Sequence, residues 1–185
     1  MKPSCACELA RRALENYRII KRKEDDGEEA FATVAALSAT LFCVIAYKEW
    51  GFLERVKGKT LDKIKVTERL PEPIRAAVNN QKYHSKESNF FDIITLIRHS
   101  LAHSNITLLV NTDNYLAGVR FKLRTPNIRG NDNIYKNNPE LPHDIELSEK
   151  DLVSLLDCLV NVFYYCTEDQ DTLNIEILNK KDTAS

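Results

Sequence analysis

Arg98, His99 and His103 are the residues of this chain whose types and spacing suit a reaction. Cleaving a phosphodiester without a metal takes a base that removes a hydroxyl proton, an acid that protonates the leaving oxygen, and a cation that steadies the charged phosphate. Histidine suits the first two tasks because it titrates near neutrality. Arginine suits the third because its planar fork matches phosphate oxygens. Phe90, Ile94, Ile97 and Leu101 recur at helical spacing, which predicts an amphipathic helix beneath the three residues. The polar run 85–89 is a candidate cap at its start. Ser104 and Asn105 precede a β-like run, so Arg98 and His103 fall near the helix's C-terminal end. The negative end of the helix dipole favours a protonated His103.

Geometry limits how these groups meet. On a straight helix five residues turn through about 500°, which leaves Arg98 and His103 roughly 140° apart. His99 and His103 share a face. A composite site between two copies of the helix on a two-fold axis brings the groups together, and a local distortion of the helix is the alternative. Plainer roles exist for each residue. Arg98 suits a salt bridge, and His103 suits a helix end. His99 and His103 also have the spacing of a helical metal pair, but no Glu follows His99 and no third ligand is evident. Ser100 and Ser104 lack the flanking glycines of a nucleophile elbow, so packing or capping is expected of them.

An Arg and a His separated by four to six residues at the end of an apolar helix resembles the core of the HEPN superfamily, whose members are small helical bundles. The residue after the Arg in that family is usually polar, and here it is His99. The order of motif, β-hairpin, loop and long final helix is similar to one subgroup, over roughly residues 28–166. The resemblance implies a metal-independent endoribonuclease with a 2′-hydroxyl nucleophile, no cofactor, and two copies of the motif lining one cleft of a homodimer. Arg98 and His103 would then be catalytic, with His99 assisting. It also implies an alternative: a non-catalytic RNA-binding or partner-binding module, one half of a toxin–antitoxin pair. Nucleotide binding is a third reading, but the chain has no phosphate-loop sequence.

The elements that must hold the motif read as mainly α, a helical bundle with a small β-hairpin before the last long helix. Residues 8–23 predict a helix with Leu9, Ala13, Tyr17 and Ile20 on one stripe. After a charged turn, residues 28–50 predict a second, with Phe31, Val34, Leu37, Leu41, Val44 and Ile45 on one side and Gly51 as a stop. The stretch 58–80 is irregular: Leu61, Ile64 and Leu70 suggest a short helix, Pro71-Glu72-Pro73 breaks it, and residues 74–78 suggest another. Residues 106–110 and 119–123 predict the hairpin around a turn at 111–114. Residues 125–142 read as loop. Ser148 with Asp151 resembles a capping box ahead of a helix carrying Leu152, Leu155, Leu156, Leu159, Phe163 and Cys166. Residues 173–178 suggest a last strand. One domain is expected over residues 1–185, divided into a helical part (8–105), hairpin and loop (106–147), last helix (148–168) and tail (169–185).

RNA has a candidate track. Alternation should turn Val119, Phe121 and Leu123 to the core and put Arg120, Lys122 and Arg124 on the opposite face, a row of cations suited to phosphates. Asn105 adjoins the motif and is placed with them. Tyr115, or Tyr135 with Arg129, is a candidate for stacking on an unpaired base. A solvated hairpin face that discourages edge pairing is the plain reading.

Composition bounds these readings. A net charge of −1 gives no global attraction to nucleic acid or anionic membranes, so any such site must be local. Five cysteines, an odd number without a C-x-x-C pair, suit a reducing cytoplasm. Cys43, Cys158 and Cys166 read as small buried hydrophobes, and Cys5 and Cys7 as an inert, frayed pair. The longest apolar stretch, residues 30–47, is interrupted by Thr33, Ser38 and Thr40, which favours a core helix over a membrane span.

Overall fold

Ala10, Leu14 and Tyr17 fall on one line at helical spacing, and all three are buried, which sets the rotation of helix α1, Pro3–Asp25. Of the expected stripe, Tyr17 is buried and Ala13 and Ile20 pack against the core, but Leu9 is 41% exposed and Ala10 and Leu14 take the inward places. Helix α2, Ala32–Glu49, likewise turns its small side inward. Ala32, Ala36, Ala39, Thr40 and Cys43 are buried; of the side placed in the core by the sequence pattern, Leu37 is buried and Leu41 packs against the core, whereas Phe31 and Val34 are exposed. Small side chains let α2 lie close against α1 and the last helix.

The computed structural model describes residues 3–28, 31–49, 66–80, 82–113, 115–124 and 129–166, and the side chains of all of these except 3–7, 42, 44–49, 129–131 and 163–166. The expectations for Leu61, Ile64, Val44, Ile45, Phe163, Cys166 and the strand at 173–178 lie outside what is described. Cys5 and Cys7 fall within α1 rather than ahead of it.

Two short helices follow, α3 at Val66–Arg69 and α4 at Glu72–Asn79. Pro71 and Pro73 therefore do more than break a helix. Pro71 precedes α4 and Pro73 lies in its first turn, where the missing N–H costs nothing. Helix α5, Lys86–Ala102, carries the motif. Strands β1 (Ile106–Val110) and β2 (Leu116–Lys122) form the expected hairpin, its turn held by the Asn111 side chain, which accepts from the backbone of Asp113 and Tyr115. The stretch expected to be loop contains a helix, α6 (Arg129–Asn137), anchored by buried Tyr135. A third strand, β3 (Asp144–Ser148), adds to the hairpin in the order β1-β2-β3, all antiparallel. Ile145 and Leu147 point inward on it. A five-residue strand that runs directly into a helix carries too short an alternation to stand out in sequence.

Helix α7, Glu149–Cys166, closes the fold. Ser148 and Asp151 form the capping box: the Asp151 N–H donates to Ser148 Oγ at 3.3 Å, and the Ser148 N–H donates to Asp151 Oδ2 at 3.0 Å. Leu152, Leu155, Leu156 and Leu159 are fully buried. The helices are tied together by few polar contacts. Glu149 accepts from Tyr17 and Thr33, joining α1, α2 and α7, and Asp157 pairs with Arg69 at 3.0 Å. Among the described residues no helix is long and apolar enough to cross a membrane.

Candidate active site

Helix α5 is the platform, and its setting is over-determined. Ser85 caps it, accepting from the Ser88 N–H at 3.3 Å. Asn89, fully buried, donates to the backbone carbonyls of Val78 and Asn80 at the end of α4 and accepts from Asn138 beyond α6 at 2.8 Å. Phe90, Ile93, Ile94, Leu96 and Ile97 are all buried, so the helix is enclosed on more sides than one apolar stripe implies. The residues left at least partly open include Asp92, His99 and His103 on one side and Arg98 on another. Arg98 and His99 are half-buried and each is engaged within the chain, while His103 is exposed.

The helix end explains how His103 is presented. His103 is the C-cap, with φ −108° and ψ 13°. Its N–H donates to the His99 carbonyl at 3.0 Å, Ser104 N–H to Leu101 at 3.1 Å, and Asn105 N–H to Ser100 at 2.7 Å. The last two bonds are the pair of a Schellman motif, and Ser104 sits in the left-handed position, φ +55°, that glycine usually fills. A side chain there costs about 1 kcal/mol. The chain accepts that cost and turns at once into β1.

This end is pinned to the basic strand. The hydroxyl of Ser100, buried, lies 2.8 Å from the Lys122 carbonyl and 3.0 Å from that of Leu96, while the Lys122 N–H donates to Asn105 O at 3.0 Å. Both backbone groups of Lys122 are thus satisfied from the motif. Ser100 is accordingly a structural residue, as its sequence context suggested.

The three strand cations alternate outward as expected, over buried Val119, Phe121 and Leu123. They are not equivalent. Arg120 is paired with Glu146 of β3, and Lys122 stands opposite Asp144 in the strand register. Arg124 has neither: its Nη1 lies 2.9 Å from His143 Nε2, and its guanidinium sits over the Tyr135 ring at 5.4 Å. Tyr135 itself cannot stack on a base, being only 6% exposed with its hydroxyl on the Pro142 carbonyl. Tyr115, 63% exposed, keeps that possibility. The Arg129 side chain lies outside the described ones.

Asp92 and Thr95 escaped the sequence reading. Asp92 is half-buried one helical repeat before His99, and burial pushes its carboxyl up to about 6, with His84 pulling the other way. Thr95, one turn before His99, is buried, and among the described residues its hydroxyl has no hydrogen-bond partner. Perturbed acids and unsatisfied polar atoms concentrate at functional sites. An Asp within the apolar run from Phe90 to Ile97, seven residues from a histidine, was the available signal. A cleft of about 700 Å³ lies elsewhere, between α1, α3, α4 and α7. Its cations Arg18, Arg69, Arg75 and Lys150 are matched by Glu68, Glu72, Asp151 and Asp157, so it offers an anion no excess charge.

A family model described as HEPN pEK499 p136 matches residues 2–172, and so takes in the first helix, which the motif resemblance did not reach. No curated protein and no solved structure matches the chain.

Proposed function

The chain belongs to the HEPN pEK499 p136 family, and on that footing we propose that it is a metal-independent endoribonuclease of the cytoplasm. The observation that carries this reading is the end of α5: an exposed imidazole, His103, one turn beyond a half-buried Arg98 and His99 and locked by backbone bonds to a strand of cations. His103 serves as general acid or base, Arg98 steadies charge on the phosphate, and His99 positions the pair. The 2′-hydroxyl loses its proton and attacks the adjacent phosphorus. The 5′-oxygen leaves and takes a proton, so products carry a 2′,3′-cyclic phosphate and a 5′-hydroxyl. Because α5 stays helical to Ala102, one copy alone leaves Arg98 and His103 aimed apart, and a homodimer supplies both groups to one phosphate.

Incubation with unpaired RNA in chelator tests the proposal. Cleavage should persist, DNA should resist, and Arg98→Ala or His103→Ala should each cut the rate by about a hundredfold or more. Equal rates in the variants and the parent would remove the assignment.

A second reading, a non-catalytic partner-binding module of a two-component pair, is favoured by the hairpin. Leu108, Val110 and Tyr115 are 54%, 60% and 63% exposed there, an apolar surface suited to an antitoxin or other partner protein. Growth arrest on expression, relieved by the motif variants, supports the nuclease. RNA binding without cleavage supports the module.

A further inference from the structure

We propose that Arg124 is a preorganised anchor for a backbone phosphate of unpaired RNA beside the scissile one, and that His143 is the positioning residue that aims it. The proposal rests on the reading of the protein as one that binds RNA. A guanidinium has only donors, so in the 2.9 Å contact the Nε2 atom of His143 must accept. Its ring proton therefore sits on Nδ1, and the Nε2 lone pair is occupied. That arrangement suits an orienting role better than proton transfer. The backbone adds to the grip, since the N–H groups of Leu123 and Arg124 both donate to the His143 carbonyl, at 2.8 and 3.0 Å.

Tyr135 supplies the floor. Its ring lies under the Arg124 guanidinium, 5.4 Å from the centroid, and meets the His143 ring edge-on at 5.7 Å. The ring is itself fixed by the bond from its hydroxyl to the Pro142 carbonyl at 2.6 Å. A guanidinium held on one edge by an imidazole and on one face by an aromatic ring leaves its remaining N–H groups directed outward, with little side-chain entropy left to lose on binding. Among the described residues it has no carboxylate partner, whereas Arg120 on the same strand is neutralised by Glu146. Position completes the case: Arg124 lies two residues, about 7 Å, beyond Lys122, the last residue of β2, whose backbone is bonded to Ser100 and Asn105 of the motif end. On this proposal an RNA strand with its scissile phosphate at His103 presents a neighbouring phosphate to Arg124.

Binding of a fluorescent unpaired RNA oligonucleotide to the full chain, titrated across salt concentrations, tests this, with cleavage read separately. Arg124→Ala should weaken binding about tenfold and reduce the salt slope by about 0.7, the share of one phosphate on single-stranded RNA. His143→Ala should raise Kd about threefold, whereas His143→Gln, whose side-chain carbonyl still accepts from Arg124, should bind like the parent. Both side chains are exposed, so the fold should survive, and Arg12→Ala on α1 should leave the salt slope unchanged. An unchanged slope in Arg124→Ala overturns the anchor. A His143→Gln protein as weak as His143→Ala overturns the positioning role. Arg124-dependent binding without cleavage by the parent leaves the anchor standing and removes the nuclease, while cleavage indifferent to Arg124 does the reverse.

Discussion

Asp92 shows how a single residue trades stability for a site. Its carboxyl titrates at about 6 in the fold, above the ordinary 3.8, because burial penalises the charged form. The folded state therefore holds the proton more tightly between those values, and stability falls as pH rises through that window. The penalty is absent below the lower value and fully present above the upper one. Asp92→Asn should accordingly stabilise the protein at pH 7.5 by about 1–2 kcal/mol, allowing for solvent access to the half-buried carboxyl. In urea unfolding the gain should vanish at pH 3.5; an equal gain at both values would show that the ionisation is not its cause. Thr95, buried with no hydroxyl partner among the described residues, and Ser104, held at φ +55°, are further residues at which local stability is given up near the motif.

Elements set the motif's place more than the motif itself does. β2 is the hub, paired on both sides, and packed against α2, α5 and α7. Gly118 marks how tightly its partner β3 is held. A Cβ there would collide with the Leu147 carbonyl oxygen and lie 3.1 Å from Ser148 Cα. Gly118→Ala should destabilise the fold by about 1–3 kcal/mol through that overpacking. Since Lys122 joins β2 to the motif, the shift should also lower RNA cleavage. Calorimetry showing an unchanged Tm would mean that the β2–β3 spacing is less constrained than the contact implies.

At the scale of the whole molecule the proposed activity needs two copies. Sedimentation at micromolar concentration should show a homodimer, and mixing Arg98→Ala with His103→Ala protein should restore part of the cleavage lost by each alone. A monomer at that concentration would remove the composite site. The Arg124 anchor does not depend on that outcome, because its parts come from the end of β2 onward, α6 and the approach to β3 of one chain.

The sequence by itself determined the mainly helical class, the motif helix, the hairpin with its inward Val119, Phe121 and Leu123, and the capping box at Ser148. These are features whose signal is local: a period of 3.6 or 2, a turn, or a side chain that bonds three residues away. The tertiary structure alone decided which side of α1 and α2 faces inward, that residues 129–137 are helical, and that 144–148 form a third strand. It alone separated Arg120, bonded to Glu146, from Arg124, bonded to His143, and enclosed Asp92 until its carboxyl shifted. The physical reason is common to all of these: depth of packing, charge neutralisation and desolvation depend on residues far along the chain, which local spacing does not encode.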